Sequence, residues 1–361
     1  MVASVCVIVP TIRNAEELGI TLDGLVRQTH PEVDVIVVGP DKDPGRRVTE
    51  SKGVRYLDDM GSRTRADACN IAIGATKSDL VLFTDDDVIV PGDWVANLVR
   101  WFDQSEVAGV GGPNFAPPES STLWQRVIDV SFCNPLFTAG TNYGRQAKGG
   151  IEEVEQLPGV NSAYRRTVLE EVGGFDSGAI GAEDVMLDHK IRSAGHRLWS
   201  DGSAVMWHRR RGLVRVKRQV RNYGLVRTLA GNEYPGLWGW SHMLVSAFPP
   251  FVFLSISLFI WGSLNGGLAW PEFWDISAEA VPMGPERIAA HQLPTLVMLY
   301  NLVAWLGAAS GSSPSRNPLT VFLSSLVTFL LHWSYGMGVL QGRWRVVTGR
   351  SGLQIDDRFR D

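Results

Sequence analysis

Short apolar runs alternate with amphipathic stretches over the first 115 residues of the chain. The runs are rich in β-branched residues, which predicts strands that are buried on both faces. They lie at Ser4–Pro10, Asp34–Gly39, Val54–Asp58, Asp79–Asp85 and Val107–Pro113. A helix is predicted after the first run, with Asn14 as its N-cap and Glu17 three residues later. Its apolar face would consist of Leu18, Leu22, Leu25 and Val26. The pattern predicts an α/β domain with a mostly parallel sheet, whose ligands bind beyond the carboxyl ends of the strands.

Three windows farther along the chain are long and apolar enough to cross a bilayer, whose core of about 30 Å needs about 20 residues of helix. They lie near 240–264, 288–309 and 318–341. Pro249 and Pro250 are expected to kink or interrupt the first window, whereas Pro294 lies near the start of the second, where proline is better tolerated. The alternative, buried helices of a soluble fold, is disfavoured by the tryptophans at the ends of these runs.

The charged residues divide the chain in the same way. The chain carries 34 basic and 38 acidic residues, yet the 109 residues from Tyr234 to Gly342 hold only six charges. The average composition excludes a disordered or collagen-like chain. The division predicts four parts: a soluble domain at 1–206, a basic amphipathic interfacial segment at 207–233, a membrane domain at 234–342 and a polar tail at 343–361.

Basic residues also predict the orientation in the membrane. The segment Trp207–Thr228 holds eight of them and no acid, which favours the cytoplasmic side, and the mostly acidic loop between the first two windows suits the outer side. Three crossings would place the arginines of segment 343–350 outside, although their charge favours the inside. Two alternatives stay open: the Pro249–Pro250 segment re-enters, or one window lies in the interface.

The N-terminus and the cysteines predict a cytoplasmic soluble domain. The first residues lack the basic start and the long apolar run of a cleaved signal peptide. Cys6, Cys69 and Cys133 are too widely spaced for a disulfide framework or a zinc site, and are expected to be buried in a reduced compartment. We therefore expect a multi-pass protein of the cell membrane with its soluble domain in the cytoplasm.

A first acidic cluster, Asp85, Asp86 and Asp87, stands at the end of a predicted strand. Three adjacent carboxylates repel one another unless a cation or hydrogen-bond donors compensate their charge. Carboxylate oxygens are suitable ligands for Mg2+ or Mn2+, whose remaining positions can hold a phosphate of a substrate. The alternative is a solvated turn in which Asp87 caps the next helix near Pro91.

A second acidic cluster, Glu183 and Asp184, follows a glycine-rich loop at the predicted start of a helix. Gly173 and Gly174 are expected to end the preceding helix, and Phe175 to anchor a turn. The N-terminus of a helix favours an ionised carboxylate, which can act as a general base toward an acceptor hydroxyl. The alternative is simple capping of the helix by acids.

These motifs, taken in order, resemble the family 2 glycosyltransferases of the GT-A fold. The resemblance covers roughly Val5 to Tyr223 and rests on VIVPTIRN, CNIAIGATKSDLVLFTDDDVIVPGDW and VNSAYRRTVLEEVGGFDSGAIGAEDVMLDHKIRSAGHRL. It implies a nucleotide-diphospho-sugar donor, a divalent cation (Mg2+ or Mn2+) and transfer with inversion at the anomeric carbon.

The resemblance also implies roles in donor and metal binding. Pro10 and Asn14 would lie in the loop that holds the nucleotide. Asp85, Asp86 and Asp87 match the DxD motif, in which the first carboxylates contact the donor and Asp87, with Asp85, binds the metal. His208 falls where many members place a histidine near the metal; alternatively, it belongs to the basic interfacial patch.

Asp184 matches the catalytic base of the family, with Glu183 positioning it or contacting the acceptor. Arg218 and Arg221 are similar to an R/Q-x-x-R-W element that binds donor phosphates or closes over the acceptor, although Asn222 replaces the tryptophan.

Two further segments depart from the family pattern. The two acids that bind base and ribose are represented in GPDKD by Asp41 and Asp43. The usual Arg–Asn pair is Cys69–Asn70, so Arg63 or Arg65 would supply a phosphate contact.

The acceptor is expected at the membrane. The basic stretch Gly212–Leu229 can lie on an anionic surface and hold the site at headgroup height, and Trp124–Gly140 is apolar enough to contact lipid, unless it is a core helix. We expect transfer to a lipid-linked saccharide on a polyprenyl or dolichol-type lipid, in glycan assembly such as protein glycosylation. The alternatives are a polyprenyl-phosphate hexose synthase and a polysaccharide synthase, then a nucleotidyltransferase or a non-enzymatic scaffold. No nucleic-acid partner is expected, because the basic charge is confined to one stretch.

Overall fold

A computed structural model describes residues 3–62, 64–138, 150–266 and 284–352 of the chain. Eleven strands lie in these residues: β1 (Val5–Pro10), β2 (Val33–Gly39), β3 (Arg55–Asp58), β4 (Leu80–Phe83), β5 (Val88–Ile89), β6 (Val107–Gly111), β7 (Asn114–Phe115), β8 (Ile151–Val154), β9 (Ser162–Arg165), β10 (Arg197–Asp201) and β11 (Met206–His208). Eight of them form one sheet in the order β3-β2-β1-β4-β9-β6-β10-β8, and the other three form a small sheet in the order β5-β11-β7.

The large sheet confirms the predicted α/β fold. Strands β3, β2, β1 and β4 are parallel neighbours, and each lies within two residues of its predicted bounds, as does β6. Strand β9 was not predicted; it runs antiparallel between β4 and β6 and joins the two halves of the sheet. The carboxyl ends of β1 and β4 therefore lie side by side, and the residues that follow them can meet.

Helices cover the sheet and continue into the C-terminal part of the chain. They are α1 (Ala15–Leu25), α2 (Pro44–Ser51), α3 (Arg65–Ala75), α4 (Trp94–Val99), α5 (Leu123–Phe132), α6 (Arg166–Glu171), α7 (Glu183–Ser193), α8 (Leu213–Glu233), α9 (Trp240–Leu264), α10 (Pro285–Ser310) and α11 (Pro318–Val347). The predicted apolar face of α1 is buried at Leu18, Leu22 and Leu25. Val26 is 53% exposed, contrary to the prediction, because it lies beyond the last residue of the helix.

Among the described residues, three helices are long and apolar enough to cross a membrane, as predicted. The apolar segments are His242–Leu264, Pro285–Ser310 and Pro318–Val347, with mean hydropathies of 2.1, 1.4 and 1.3. Helix α9 is continuous through Pro249 and Pro250, so these prolines do not interrupt it, and the expected kink stays a prediction. Of the acids predicted to lie between the first two windows, only Glu286 falls within the described residues, in the first turn of α10.

Helices α5, α8 and α11 pack together beneath the sheet. Val127 and Ile128 of α5, Val216 of α8 and Val327 of α11 belong to one buried apolar cluster. In the segment Trp124–Gly140, Val127, Ile128 and Phe132 of α5 are therefore core residues, as the alternative interpretation held, whereas Trp124 is 41% exposed. Residues 139 and 140 lie outside the described residues. The buried side chains Val216 and Val220 of α8 also pack on protein, whereas Val214 is 83% exposed. The predicted position of this stretch on an anionic membrane surface stays a prediction.

A buried ion pair joins the sheet domain to the C-terminal helices. The Asp129 side chain is fully buried and accepts hydrogen bonds from Arg210 Nε at 2.8 Å and from Ser313 Oγ at 2.6 Å. Arg210 also donates to the Asn114 side chain at 2.8 Å. Since Ser313 lies between α10 and α11, this network fixes their connection against α5 and β7. The three cysteines are buried and form no disulfide, as expected.

Candidate active site

Two carboxylates and an imidazole meet beyond the end of β4. Asp85 and Asp87 follow this strand, and β11 pairs with β5 so that His208 lies opposite Val88. One ligand atom of each of Asp85, Asp87 and His208 lies within 4.8 Å of the other two, and His208 Nε2 is 3.2 Å from Asp87 Oδ1. The predicted grouping is thus brought together, and His208 belongs to it as well as to the basic stretch that follows.

The chemistry of this group fits a divalent cation. The side chains of Asp85 and Asp87 are 33% and 39% exposed, so their oxygens can reach a ligand from solvent. Burial raises the pKa of Asp87, but the hydrogen bond and charge of His208, with the charge of Arg211, outweigh it and lower the pKa. Ionised carboxylate oxygens and one imidazole nitrogen are suitable ligands for Mn2+ and leave positions for a substrate.

The middle aspartate of the cluster points to the loop after β1. Asp86 accepts hydrogen bonds from Thr11 Oγ1 at 2.6 Å and from Asn14 Nδ2 at 3.0 Å. Burial raises the pKa of Asp86, and these two donors oppose that effect. Both carboxylate oxygens therefore hold the predicted nucleotide loop, whereas a contact with the donor had been expected. The Asn14 side chain does not cap α1 as expected, because it donates to Asp86 instead.

The two loops that follow β1 and β2 are also tied together. Asp43 is buried and accepts hydrogen bonds from the backbone N–H groups of Arg13 at 2.6 Å and Gly45 at 2.7 Å. Asp41 is mostly exposed and pairs with Arg46. Pro10 is the last residue of β1 and lies opposite Val38 of β2, at the base of both loops. The geometry assigns Asp43 a structural position and leaves Asp41 at the surface of the predicted nucleotide site.

The second acidic cluster forms the first turn of α7. Glu183 and Asp184 are its first two residues, and the preceding Ala182 has a left-handed backbone with φ of 57°. Asp184 Oδ2 accepts a hydrogen bond from the Gly159 N–H at 3.1 Å, and its Oδ1 accepts one from the Val185 N–H at 2.8 Å. Both oxygens of this carboxylate are therefore held by backbone N–H donors at the start of α7.

Arg65 connects the two acidic clusters. Its Nε is 3.1 Å from Asp85 Oδ1, its Nη1 is 3.5 Å from Glu183 Oε1, and its Nη2 donates to the Gly159 carbonyl at 2.7 Å. Burial raises the pKa of Glu183, whereas the charge of Arg65 lowers it. One guanidinium therefore reaches both carboxylates from α3, whereas the sequence had indicated only a phosphate contact. Arg63, the other candidate, lies outside the described residues.

Arg218 and Arg221 lie on α8. Both are exposed on α8, and Arg221 Nε donates to the Gln341 side chain of α11 at 3.1 Å. Their predicted role in phosphate or acceptor binding stays a prediction.

Two residues that hold the second cluster in place were not identified as doing so from the sequence. Asn70 was noted without a function, and Gly159 was missed. Asn70 donates to the Phe175 carbonyl at 2.8 Å and accepts from the Phe175 N–H at 2.9 Å, so it holds the turn that precedes α7. Gly159 presents its N–H to Asp184 and its carbonyl to Arg65. The asparagine of the Cys69–Asn70 pair could have indicated this role, whereas a single glycine in a loop carries no recognisable pattern.

Comparisons with known proteins agree with this geometry. A profile of the family described as "Glycosyltransferase like family 2" matches residues 3–249. The O-antigen chain rhamnosyltransferase RfbN of Salmonella typhimurium is 25% identical over 220 residues, which are 56% of this chain and 66% of that protein. The glucosyl-dolichyl phosphate glucuronosyltransferase of Haloferax volcanii is 25% identical over 188 residues, which are 49% of this chain and 56% of that protein. The chain thus spans just under two thirds and just over half of the lengths of these relatives.

A solved structure shares the fold along most of the chain. The mannosyltransferase PcManGT from Pyrobaculum calidifontis, solved in complex with GDP-Man and Mn2+, superposes with a TM-score of 0.50 at 20% identity. The superposition covers 95% of this chain and 87% of that protein, so the likeness includes the sheet domain and the C-terminal helices. The predicted GT-A fold is confirmed.

Proposed function

The chain belongs to glycosyltransferase family 2, and we propose that it is a membrane-bound, metal-dependent glycosyltransferase that inverts the anomeric configuration. It would move a sugar from a nucleotide-diphospho-sugar to a saccharide that is linked to a polyprenyl-type lipid. The observation that carries this proposal is the pair of acidic clusters joined by Arg65. The first cluster is suited to binding a divalent cation, and the second is suited to accepting a proton from the acceptor hydroxyl.

Donor binding is assigned to the first cluster and the loops beside it. A divalent cation held by Asp85, Asp87 and His208 would neutralise the charge that develops on the leaving diphosphate. Asp86 would keep the loop of Thr11 and Asn14 in place for the nucleotide. This division agrees with the hydrogen bonds, since Asp86 is held by Thr11 and Asn14 while Asp85 and Asp87 lie together with His208.

Proton transfer is assigned to Asp184. The acceptor oxygen forms a bond to the anomeric carbon while the bond from that carbon to the phosphate oxygen breaks. Asp184 takes the proton of the attacking hydroxyl, and the electron pair of the broken bond leaves with the nucleoside diphosphate. The Gly159 N–H fixes Asp184 Oδ2, so the carboxylate is oriented before the acceptor arrives.

A lipid-borne acceptor is supported by the apolar helices. Three helices suited to a membrane follow the sheet domain, and basic side chains of α8 are exposed beside them. The name of the Haloferax volcanii relative contains a glucosyl-dolichyl phosphate, a sugar on a lipid of this class. We propose that the protein acts in the cell membrane, with its sheet domain in the cytoplasm.

The test is incubation of membranes that contain the protein with a panel of labelled nucleotide sugars. Each donor is supplied with Mn2+ or with EDTA, and the lipid extract is then analysed for label. We expect labelled lipid with one donor, in the presence of the cation and with a saccharide beneath the added sugar. Membranes with the Asp87→Asn variant should give no labelled lipid, whereas Asp103→Asn, at an exposed position, should behave as the unmodified protein.

Each outcome bears on a different part of the proposal. Labelled lipid in the presence of EDTA would contradict the role of the cation. A single sugar attached directly to polyprenyl phosphate would contradict the saccharide acceptor and favour a polyprenyl-phosphate hexose synthase. Label that appears only in a long water-soluble polymer would indicate a polysaccharide synthase.

A further inference from the structure

Helix α11 differs from α9 and α10 in how much protein covers it. In the most apolar window of each helix, 44% of the residues of α11 are buried, compared with 11% in α9 and 17% in α10. A helix that crosses a bilayer in a bundle of three exposes much of its surface to lipid. The larger buried fraction of α11 must therefore come from the elements that pack against it.

Both ends of α11 contact the sheet domain or the segment that includes α8, whereas its middle also packs on α9 and α10, for example through Phe329 against Phe248. Near its start, Ser131 Oγ of α5 donates to the Ser324 carbonyl at 3.2 Å. Farther along, Gly338 lies so close to α8 that an added Cβ would overlap the Arg221 carbonyl oxygen. Near its end, the Arg343 guanidinium lies 4.5 Å from the centre of the Trp238 ring, and Val346 packs on the core of the sheet domain.

This distribution of contacts defines the direction of α11. The helix has 30 residues and is about 45 Å long at 1.5 Å per residue. If it crossed the bilayer, one end would lie a membrane thickness away from the sheet domain. Because both ends contact that domain or the helices attached to it, α11 runs along the domain instead of away from it.

The uncovered face of α11 is a stripe of large apolar side chains. Its members recur at intervals of three or four residues over most of the helix, which places them on one side. They are Leu319, Phe322, Leu326, Phe329, Leu340, Trp344 and Val347, and their exposed fractions range from 37% to 82%. An amphipathic helix of this kind lies in the plane of the membrane interface with its apolar stripe toward the acyl chains.

Helices α9 and α10 have the geometry of a hairpin that can cross. The Gln292 side chain donates to the Ser255 carbonyl at 2.7 Å, and Gly262 lies against Ala290, so the two helices are antiparallel neighbours. They contain 25 and 26 residues and are about 37 to 39 Å long, more than the roughly 30 Å of a bilayer core. Helix α11 crosses this hairpin between the end nearest α8 and its middle, where Phe329 packs on Phe248 and Tyr300, and Trp333 packs on Phe253.

We infer that α11 lies along the membrane surface on the side of the sheet domain, with its apolar stripe in the bilayer, and that only the α9–α10 hairpin crosses. The C-terminal arginines then share a side with the cations of α8, which agrees with the positive-inside rule. Of the two alternatives that the charge pattern left open, this is the one in which a window lies in the interface. The inference concerns the membrane arrangement and does not depend on the reaction.

The first test places single cysteines in the full chain and labels them with a membrane-impermeant maleimide. The native cysteines are buried, so the unmodified protein serves as the unlabelled control. Asp103→Cys marks the sheet domain, Asn265→Cys marks the far end of the hairpin, and Thr348→Cys marks the end of α11; all three positions are exposed. Right-side-out and inside-out membrane vesicles are labelled separately.

We expect Thr348→Cys to react in the same vesicles as Asp103→Cys, and Asn265→Cys to react in the opposite ones. If Thr348→Cys instead reacts with the maleimide in the same vesicles as Asn265→Cys, α11 crosses the membrane and the inference is wrong. If all three react from one side, the hairpin does not cross and the inference is equally wrong.

The second test measures depth with nitroxide labels on the purified full chain in vesicles of phosphatidylcholine and phosphatidylglycerol. Labels at Leu319, Leu326 and Leu340 sample the apolar stripe, and a label at Leu258 samples the hairpin. Relative accessibility to oxygen and to a water-soluble nickel chelate should be the same at the three stripe positions and indicate greater depth at Leu258. A depth that increases steadily along the stripe would overturn the inference.

Discussion

The two acidic clusters place the same residue type in opposite surroundings. Asp87 faces solvent beside an imidazole, whereas Asp184 is held by two backbone N–H groups at the start of a helix. Arg65 contacts both clusters, through Asp85 on one side and Glu183 on the other. The comparison shows that the neighbours of a carboxylate, more than its own chemistry, determine whether it suits a metal ion or a proton.

Asp86 shows a third role for an aspartate side chain, which is to hold a neighbouring loop in place. It lies between two candidate metal ligands, yet its oxygens are engaged by Thr11 and Asn14. Asp86 lies in the turn between β4 and β5, and its two hydrogen bonds direct it to the loop after β1. Substitutions at the two clusters should therefore have separable effects, with metal affinity sensitive to one cluster and proton transfer to the other.

The largest effect is expected for Asp184→Asn. Loss of the general base should reduce the rate of transfer about 100- to 10,000-fold. Asparagine has one amide oxygen and keeps only one of the two backbone hydrogen bonds that Asp184 accepts, so a small loss of stability is expected. The affinity for Mn2+ should be unchanged, because Asp184 is not in the first cluster. Rates are measured as labelled lipid formed per minute, with Asp103→Asn as the control. Near-normal transfer would indicate an acceptor that needs no base, such as a phosphate.

Asp87→Asn should reduce the rate about 100- to 1,000-fold, since it weakens electrostatic stabilisation of the leaving group. Unlike the variant of the base, it should also raise the Mn2+ concentration needed for half-maximal binding. Free Mn2+ is measured by electron paramagnetic resonance during titration of the purified chain. An unchanged affinity for Mn2+ would remove Asp87 from the metal site, whatever happens to the rate.

Arg65→Gln should affect both clusters moderately, with a loss of rate of about 10- to 100-fold from the charged hydrogen bonds that are removed. Because the charge of Arg65 lowers the pKa of Glu183, its removal should raise that pKa further. If ionised Glu183 is required, the acidic limb of the pH–rate profile should move to higher pH. Arg65→Lys should move it less, and a profile that does not move would contradict the coupling between the clusters.

Gly159→Ala should have the smallest effect and act on one cluster only. The added Cβ would lie 3.2 Å from Asp184 Oδ2, so the carboxylate must shift by a few tenths of an ångström. We expect kcat to fall about threefold with an unchanged affinity for Mn2+. Gly74→Ala is the matched control, because its Cβ would meet no atom within 4 Å. Equal effects of the two substitutions would contradict the positioning role of Gly159.

The parallel part of the sheet could be predicted closely because its signal is local. Strands such as β1 and β2 are continuous runs of buried β-branched residues, and each run is recognisable without its partners. The strands of the small sheet have only two or three residues, and β8 is a short strand with two adjacent exposed residues at its centre, so neither stands out from a loop. The sequence predicted which elements exist better than how the second half of the sheet is completed.

The members of the acidic clusters could be predicted, whereas their contacts could not. Arg65 and Glu183 are 118 positions apart, and their approach depends on β9, α3 and α7 being placed together. The direction of Asp86 similarly depends on the loop after β1, which supplies both donors. Local patterns contain no information on such distances, because tertiary packing determines them.

The packing of α11 on α5 and α8 can form only late in synthesis, because α11 is near the end of the chain. Val127 and Ile128 of α5 and Val216 of α8 emerge from the ribosome long before Val327 and Leu331, which cover them. Domains begin to fold during synthesis, so the apolar face formed by α5 and α8 stays exposed to solvent until α11 has been translated. A truncation that ends after α8 would expose this face permanently, and soluble production of the sheet domain alone would require polar replacements there.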